Sequence, residues 1–392
     1  MEELNGVGER IAYWRHRRMM TQVALAGQVG RSESWLAKIE RGERTIEAIK
    51  DLLLLARILR VEPGDLIGGV ELAPNGGPLD PPKGIIAVRR ALVGPAEKEP
   101  PSAADLQADV ERVGLLVAKG SYEARALVLP DALVAGRVAA EHEVPGAWSY
   151  LARLYLMTSG LVRRVGEPDL ALLAADRGIS AAQRSGDPLM VAHARRRLAF
   201  AFLRCGWLDE AGAVCSDASD ALAPTDATSL EGWSLWGSLR LTEAVAASRA
   251  DEAGNARRSL RDARTAAERV GPGRNDYWES FGPANVIAHE IAVELEGGQP
   301  VEALRLADGL DVEELPTAQR RAEVLIDVAQ AHNLRRDDGA AVAVLLEAER
   351  HAPEMVYYSV LAHEIVRALL KRERKARTPG LRPLAGRMGI KV

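Results

Sequence analysis

Residues 21–44, TQVALAGQVGRSESWLAKIERGER, decide the fold at the start of this chain. Thr21 and Ser32 each stand just before apolar residues at helical spacing, where a hydroxyl can accept the free N–H groups of a helix's first turn. Gly30 supplies the tight bend between the two runs, and Gly42 ends the second. These signals predict two short helices, at about residues 22–28 and 33–41.

Three further helices complete a five-helix unit. Ile11 and Trp14 have the spacing of a first helix that ends near Arg18, followed by a loop at Met19-Met20. A fourth helix is predicted at about 45–59. A short fifth helix begins near Pro63, because proline fits the first turn of a helix.

The spacing of these residues resembles the lambda-repressor-like (Xre-type) DNA-binding domain over about residues 7–68. The residues that carry the resemblance are Gln22, Leu25-Ala26, Gly30, Ser32, Leu36, Ile39-Glu40 and Gly42. In that family the third helix lies in the major groove of DNA. The resemblance implies roles in contacts to bases or nearby phosphates for Gln22, Glu33, Ser34 and Lys38. It implies phosphate contacts for Ser32, Arg41 and Arg44, and an ion pair within the domain between Arg15 and Glu40.

Trp35 stands where this family usually has a smaller residue. We count it among the candidate DNA-binding residues, in contact with a sugar-phosphate edge or a thymine methyl group; packing in the core is the alternative. Glu33 can accept a hydrogen bond from a cytosine amino group but repels phosphate, so the residues do not reveal the operator sequence.

Charge is distributed unevenly along the chain, whose formal net charge is −4. Residues 10–60 carry 11 Lys and Arg against 5 Asp and Glu, and residues 371–392 carry 8 against 1. Residues 61–370 are acidic, with 32 against 46. Basic ends on an acidic body orient a protein on DNA. The basic charge of the first module favours DNA binding over its alternative, a helix-turn-helix used only for protein contacts.

Composition predicts an all-α protein, because Ala and Leu are frequent, β-branched alternation is scarce and aromatic residues make up only 4%. The two cysteines, Cys205 and Cys215, cannot form a disulfide framework or a four-ligand zinc site. We interpret them as small core residues, with a redox switch as the alternative. The start has no signal-peptide pattern and no apolar run reaches membrane-spanning length, so the expected location is the cytoplasm, with no membrane partner.

Six segments of the central region open with a turn followed by an Ala-rich helix. Their matching alanines recur at intervals of 38 to 47 residues, at Ala124, Ala171, Ala211, Ala256, Ala303 and Ala341. A larger first helix precedes each segment, as in 149–157, 191–203 and 323–334. Stacked helical hairpins of this period build an α-solenoid. The pattern resembles degenerate tetratricopeptide repeats over about 103–352, with a generic α-solenoid as the alternative.

The predicted fold is therefore a five-helix lambda-repressor-like domain followed by an α-solenoid of about six helical hairpins. Its predicted domains are a DNA-binding domain at 1–68, a linker with a short helix near Ile85–Leu92 at 69–102, a repeat domain for sensing and dimerisation at 103–374, and a basic tail at 375–392. The tail has three possible roles: it caps the solenoid, touches the DNA backbone or is only solvated.

The first helices of a solenoid line its inner surface, where Asn can pair with a peptide amide and Arg can hold a carboxylate. The candidate ligand-binding residues are Tyr150, Arg153, Arg195, Arg196, Trp236, Arg240, Asn285 and His289. The segment GPGRNDYWESFGP, residues 271–283, is predicted to be solvated and is the best place to look for a ligand or partner. Ordinary packing between repeats is the alternative for its aromatic residues and for Trp233 and Trp236.

No catalytic, metal or cofactor site is predicted. His289-Glu290 and His363-Glu364 begin like a zinc-protease signature, but neither has a second His four residues after the first. No phosphate-cradling glycine loop or serine-nucleophile motif occurs.

The combination of an Xre-type domain with helical repeats resembles bacterial peptide-responsive regulators. It implies a sequence-specific transcriptional regulator that binds a double-stranded operator as a homodimer and senses a peptide or small molecule. The first alternative is a protein-interaction scaffold tethered to DNA, and the second is an enzyme with a DNA-binding appendage.

Overall fold

The computed structural model divides into two compact units, Met1–Gly77 and Pro78–Val392. All regular secondary structure in the part of the chain that the structure describes is helical, which confirms the predicted all-α class. The described residues are 6–18, 20–44, 46, 49–59, 61, 66, 82–96, 98–224, 228–373 and 377–390.

The first unit contains the predicted helix-turn-helix. Its helices are α1 (Val7–Arg17), α2 (Gln22–Gln28), α3 (Glu33–Glu40) and α4 (Ile49–Leu59). The fifth helix predicted near Pro63 and the loop residue Met19 lie outside the described residues. The unit's core consists of residues from all four helices, with Leu66: Ile11, Leu25, Ala26, Val29, Trp35, Leu36, Ile39, Leu55, Ala56, Leu59 and Leu66.

Local signals in the sequence set the bounds of α2 and α3. The Thr21 hydroxyl accepts a hydrogen bond from the Ala24 N–H at 3.1 Å, and the Ser32 hydroxyl accepts one from the Trp35 N–H at 3.2 Å. Gly30 has φ +70°, a left-handed conformation that a side chain disfavours. Both predicted caps and the predicted glycine turn are therefore confirmed.

The second unit begins with α5 (Ile85–Val93) and continues as a series of paired helices. These are α6 (Ala103–Lys119), α7 (Tyr122–Glu141), α8 (Ala147–Arg164), α9 (Pro168–Ser185), α10 (Pro188–Cys205), α11 (Leu208–Ala221), α12 (Leu230–Arg249), α13 (Ala253–Val270), α14 (Pro283–Glu296), α15 (Pro300–Asp308), α16 (Ala318–Leu334) and α17 (Asp338–His351). Two short 3-10 helices lie at Asp276–Trp278 and Val312–Glu314, and the unit ends with α18 (Pro353–Tyr357), α19 (Val360–Lys371) and α20 (Leu381–Arg387).

Helices α6 to α17 pack as hairpins, each first helix against the second helix that follows it. The pairs among the described residues are α6–α7, α8–α9, α10–α11, α12–α13, α14–α15 and α16–α17, in agreement with the prediction of about six. The matching alanines lie near the starts of the second helices, and all but Ala124 are buried: Ala171, Ala211, Ala256, Ala303 and Ala341. Small residues at these positions let the two helices of a hairpin approach closely.

The first helices also contact one another in sequence, from α6 to α8 and on through α10, α12, α14 and α16. Helix α16 in turn contacts α6, so this row of first helices closes on itself. Side-chain contacts reinforce the closure. A carboxylate oxygen of Glu354 accepts the backbone N–H groups of Tyr122 and Glu123, the latter at 2.8 Å, and the Tyr358 hydroxyl donates to Glu123 Oε1 at 2.6 Å.

Two predicted peripheral segments contribute to the core of the second unit. Helix α5, assigned from sequence to a linker, packs on α7 and buries Ile85, Val88 and Leu92. The described part of the basic tail forms α20, whose Leu381 and Leu384 are fully buried. Their Pro, Gly and basic residues favoured a linker and a tail, although the apolar residues of both segments have helical spacing. Of the three roles considered for the tail, the structure favours capping of the solenoid.

Candidate functional sites: a helix-turn-helix surface and an arginine-lined interior

Helix α3 has one buried face and one exposed polar face. Leu36 and Ile39 point into the core, whereas Glu33, Ser34 and Lys38 are exposed. At about 100° per residue these three exposed positions share one side of the helix, opposite the apolar stripe. An exposed polar face on the second helix of a helix-turn-helix is the surface that reads base edges in the major groove.

Gln22 is partly buried and is hydrogen-bonded to the predicted ion pair. Arg15 Nε and Nη2 donate to the two carboxylate oxygens of Glu40 at 2.7 and 2.8 Å, so the Arg15–Glu40 prediction is confirmed. The hydrogen bonds from Arg15 to Glu40 raise the pKa of Arg15. Gln22 Nε2 donates to Glu40 Oε2 at 2.7 Å, which occupies an amide donor that was predicted to face DNA.

Trp35 is a correction to the predicted DNA-binding set. Its side chain is 8% exposed and belongs to the core of the first unit. The Arg31 guanidinium lies 5.6 Å from the centre of the indole ring, and Arg31 also pairs with Asp51 at 2.9 Å. An aromatic ring covered in this way stabilises the module, so the structure selects the core alternative for Trp35.

The candidate phosphate contacts lie at the two ends of α3. Ser32 precedes the helix and its hydroxyl oxygen caps it, while its own hydroxyl hydrogen remains a donor. Arg41 and Arg44 are exposed just after the helix, and Arg41 Nε lies 2.7 Å from Glu43 Oε1. Such an exposed pair is weak, so phosphate can replace Glu43 as the partner of Arg41. Apart from Trp35, the predicted DNA-binding residues stay predictions.

The second candidate site is a cavity of about 20 Å³ in the second unit. Residues from both ends of the closed row of first helices line it: Val117, Arg125, Arg153, Leu156, Met157, Gly160, Arg164, His193, Arg197, Tyr277, Trp278 and Gln319. The lining includes four arginines and one histidine but no carboxylate. An arrangement of this kind attracts anions.

Glu279 is the carboxylate beside this cavity. It accepts a hydrogen bond from Arg196 and lies 3.0 Å from Arg197 Nη2 and 2.9 Å from His193 Nδ1. Burial and the charges of Arg197, Arg196 and Arg153 lower the pKa of His193 well below its ordinary value, so this imidazole is neutral at neutral pH. Glu279 thus compensates the two guanidinium groups rather than an imidazolium.

A second charge network leads from the cavity towards α14. Arg164 Nη2 donates to Glu323 Oε1 at 2.9 Å, and Arg320 Nη1 donates to Glu323 Oε2 at 3.1 Å. Arg320 Nε also donates to the Asn285 side-chain oxygen at 2.6 Å, and its Nη2 lies 3.0 Å from Nδ1 of His289. Burial and the charge of Arg320 lower the pKa of His289 well below its ordinary value. Asn285 and His289 are therefore tied to a neighbouring arginine inside the unit.

The structure separates the eight predicted ligand-binding residues. Arg153 lines the cavity, and Arg196 donates a hydrogen bond to Glu279 beside the cavity. Arg240 pairs with Glu243 and Asp262 on the α12–α13 hairpin. Trp236 lies edge-on to Trp233, with ring centres 5.8 Å apart, against the apolar cluster that contains Phe281. Asn285 and His289 belong to the Arg320 network described above. Tyr150 and Arg195 are half-buried outside the cavity lining.

Sequence reasoning missed Arg125, Arg164, Arg197, Glu279 and Glu323. A signal was present in VAHARRRLAF, residues 191–200, because three consecutive arginines in an Ala-rich helix must turn at least one guanidinium inward. The burial of Arg125 and the pairing of Glu323 with Arg164 depend on closure of the helix row, which joins helices far apart in sequence.

The segment 271–283 was predicted to be solvated, and this prediction is wrong for residues 279–282, which are buried. Glu279, Ser280 and Phe281 are buried, and the Trp278 ring lies against α6 at Gly114. Tyr277, Trp278 and Ser280 have φ of 52°, 57° and 53°, a strained region for residues with side chains. The strain is balanced by the burial of Phe281 and the charge pairing of Glu279, which sequence composition does not reveal.

Other chemistry is limited within the described residues. They contain no group of three or more His, Cys, Asp or Glu placed to hold a metal ion. None of their helices is both long and apolar enough to cross a bilayer. Cys215 is a fully buried free thiol, and Cys205 is partly buried. Burial raises the pKa of the Cys215 thiol to about 12, which makes it unreactive.

Comparison with known proteins identifies the first module. Residues 7–67 match the family model of a helix-turn-helix domain. This match agrees with α1 to α4 and with the cap and ion-pair geometry of the module. The chain therefore carries a helix-turn-helix domain at its start. No curated protein sequence matches the chain significantly.

Three solved structures show partial similarity. The Rap protein complexed with competence and sporulation factor aligns at 13% identity and TM-score 0.48, over 89% of this chain and 99% of its own. PlcR from Bacillus thuringiensis, in complex with the peptide PapR7 and DNA, aligns at 10% identity and TM-score 0.38, over 84% and 97%. BtubC from P. vanneervenii aligns at 17% identity and TM-score 0.36, over 62% and 90%. TM-scores this low do not establish a shared fold.

Proposed function

We propose that this protein is a sequence-specific DNA-binding transcriptional regulator. The exposed polar face of α3, at Glu33, Ser34 and Lys38, is the observation that carries the proposal. It lies in a module that matches a helix-turn-helix domain, and its backbone is fixed by capped helices and a buried ion pair. Preorganised side chains on a rigid helix are what base-edge recognition requires.

Ser32, Arg41 and Arg44 hold the phosphates on either side of the recognition helix. Their positions at its two ends match the usual division of labour, in which backbone contacts set the register and base contacts set the sequence. A single module covers only a half-site. The proposal therefore includes a homodimer on a two-fold operator, with the second unit supplying the contact between copies.

The second unit is the sensing unit in this proposal. Its arginine-lined interior supports binding of a peptide or small-molecule signal, because charged groups without full compensation lie around a cavity there. Binding regulates transcription if the ligand favours one spacing between the two helix-turn-helix modules of the dimer over another.

The test is DNA binding by the double variant Lys38→Ala, Ser34→Ala. Gln22→Ala is a poor choice, because Gln22 also donates to Glu40 of the Arg15–Glu40 pair and its removal would mix a change inside the domain with any change in DNA contact. Two lost base-edge or phosphate contacts are expected to weaken operator binding by about 100-fold. Selection of bound genomic fragments followed by footprinting measures this, with circular dichroism as the check on folding.

The matched control is Lys83→Ala, which removes an exposed lysine from the second unit. It is expected to leave operator binding unchanged. Undiminished specific binding by the double variant would contradict the assignment of α3. Salt-labile retention of DNA with no preferred site would instead support the scaffold alternative, because non-specific phosphate contacts dominate such binding.

A further inference from the structure

The interior cavity has an excess of positive charge at its surface. Of the four arginines that line it, Arg197 lies beside Glu279 and Arg164 donates to Glu323. Among the described residues, Arg125 and Arg153 have no carboxylate partner at ion-pair distance. The charge of Glu354 acts on Arg125, but the Glu354 carboxylate accepts the backbone N–H groups of Tyr122 and Glu123.

Within the part of the chain that the structure describes, some donors of Arg125, Arg153 and Arg197 have no hydrogen-bond partner. Arg125 is 2% exposed, and its Nε and Nη2 have no hydrogen-bond partner. Arg153 Nε and Arg197 Nε are buried without a partner as well. The contacts that Arg125 and Arg153 do make are with aromatic rings: the Arg125 guanidinium lies 5.4 Å from the Tyr122 ring centre, and that of Arg153 lies 5.9 Å from the Tyr277 ring centre.

A guanidinium group cannot remove this imbalance by losing its proton. Burial lowers the pKa of Arg125 only to about 10, so the group is still charged at neutral pH. A buried charge without a counter-charge is strongly unfavourable, and so is a buried donor without an acceptor. An anion in the cavity would satisfy both requirements at once.

We propose that the cavity binds a small oxyanion, a carboxylate or phosphate group, through Arg125, Arg153 and Arg197. Guanidinium groups bind such oxygens by N–H donors. The carboxylate of Glu279 is an example beside the cavity, since it accepts a hydrogen bond from Arg196 and lies 3.0 Å from Arg197 Nη2. About 20 Å³ is the room of roughly one water molecule. A compact oxyanion is larger than a water molecule and enters only with an outward shift of the Tyr277–Trp278 wall, and an extended peptide has no room there.

This inference rests on the proposed function only in treating the second unit as the sensing unit. It narrows the signal to a compact anion or to the anionic group of a small molecule. Its test needs no DNA, so its failure leaves the assignment of α3 standing, and the reverse also holds.

The experiment is titration calorimetry on the purified full chain. Sodium phosphate and sodium acetate are added in separate arms at constant ionic strength maintained with sodium chloride. Saturable 1:1 binding is expected in at least one arm, with Kd of about 1 mM or lower. The stronger arm distinguishes a phosphate from a carboxylate as the natural oxyanion.

Variants locate the bound anion. Arg125→Met and Arg153→Met keep the length of the side chain and remove the charge, and each is expected to weaken binding at least 10-fold. Arg125→Met is expected to fold, because it removes a buried charge that lacks a partner. The control is Arg112→Met on α6, which removes an exposed arginine and should bind as the unaltered protein does.

Two results would overturn the proposal. One is the absence of saturable binding of either anion to the unaltered protein. The other is binding that both cavity variants retain at full strength, since the anion would then lie elsewhere. Should Arg125→Met fail to fold, the half-buried Arg153 variant provides the same comparison.

Discussion

Gly8 lies on α1 where that helix crosses α3. A methyl group at this position would lie 1.9 Å from the Ile39 carbonyl oxygen, far inside van der Waals contact. The two backbones can touch only because the side chain is absent. This contact fixes α3 against α1 and so fixes the direction of the exposed face at Lys38.

Gly8→Ala is therefore expected to destabilise the first unit by about 1–3 kcal/mol, because the clash is with backbone and forces the helices apart. Amide hydrogen exchange of α1 and α3 measures the effect locally. Gly27→Ala is the matched control on α2. A methyl group there meets nothing within 4 Å, and alanine is the better helix former. Equal protection in the two variants would contradict the close-packing explanation.

Short elements differ in how far the sequence predicts them. The sequence predicts α2 and α3 correctly because the bounds of these helices depend on residues adjacent in sequence. Thr21 and Ser32 cap the helices, and Gly30 turns the chain between them. Trp35 was misassigned because its burial depends on packing against other helices. The interior arginines were mostly missed for the same reason, since Arg125 and Glu323 reach the interior only through contacts between the first and last hairpins.

The segment 271–282 is the element with the least local support. Three of its non-glycine residues, Tyr277, Trp278 and Ser280, have positive φ, and long-range contacts hold them there. One contact is the slot at Gly114, where an added methyl group would lie 2.4 Å from the Trp278 ring. Polar and Gly-rich composition predicted a solvated loop, whereas these tertiary contacts bury residues 279–282.

Gly114→Ala is expected to expel the Trp278 ring from its slot and to release the segment. The loss of packing should destabilise the segment by about 1–3 kcal/mol and raise amide exchange at residues 276–281. Gly212→Ala on α11 is the control, since a methyl group there has open space. Unchanged protection of the segment in Gly114→Ala would mean that the Trp278 contact does not hold it.

At the scale of the second unit, closure joins hairpins that are far apart in sequence. Glu354 accepts two backbone N–H groups at the start of α7, and Arg164 on α8 pairs with Glu323 on α16. In an open solenoid each repeat contacts only its neighbours. The described hairpins of this unit depart from that rule, so loss of one terminal contact affects both ends.

Glu354→Ala tests this dependence. It leaves the N–H groups of Tyr122 and Glu123 without their acceptor, which is expected to cost about 1–3 kcal/mol and to lower Tm by several degrees. Amide exchange should increase at the start of α7 as well as around α18. The control, Glu302→Ala, breaks an exposed pair with Arg305 and should leave Tm unchanged. An increase confined to α18 would argue that the two ends are energetically independent.

Closure also restricts how this protein can evolve. Open repeat arrays gain or lose copies easily, since a new copy only lengthens the stack. Here an inserted or deleted hairpin would rotate α16 away from α6 and separate Glu354 from the start of α7. Duplication of a repeat is therefore disfavoured, and divergence is expected to proceed by substitution within a fixed number of hairpins.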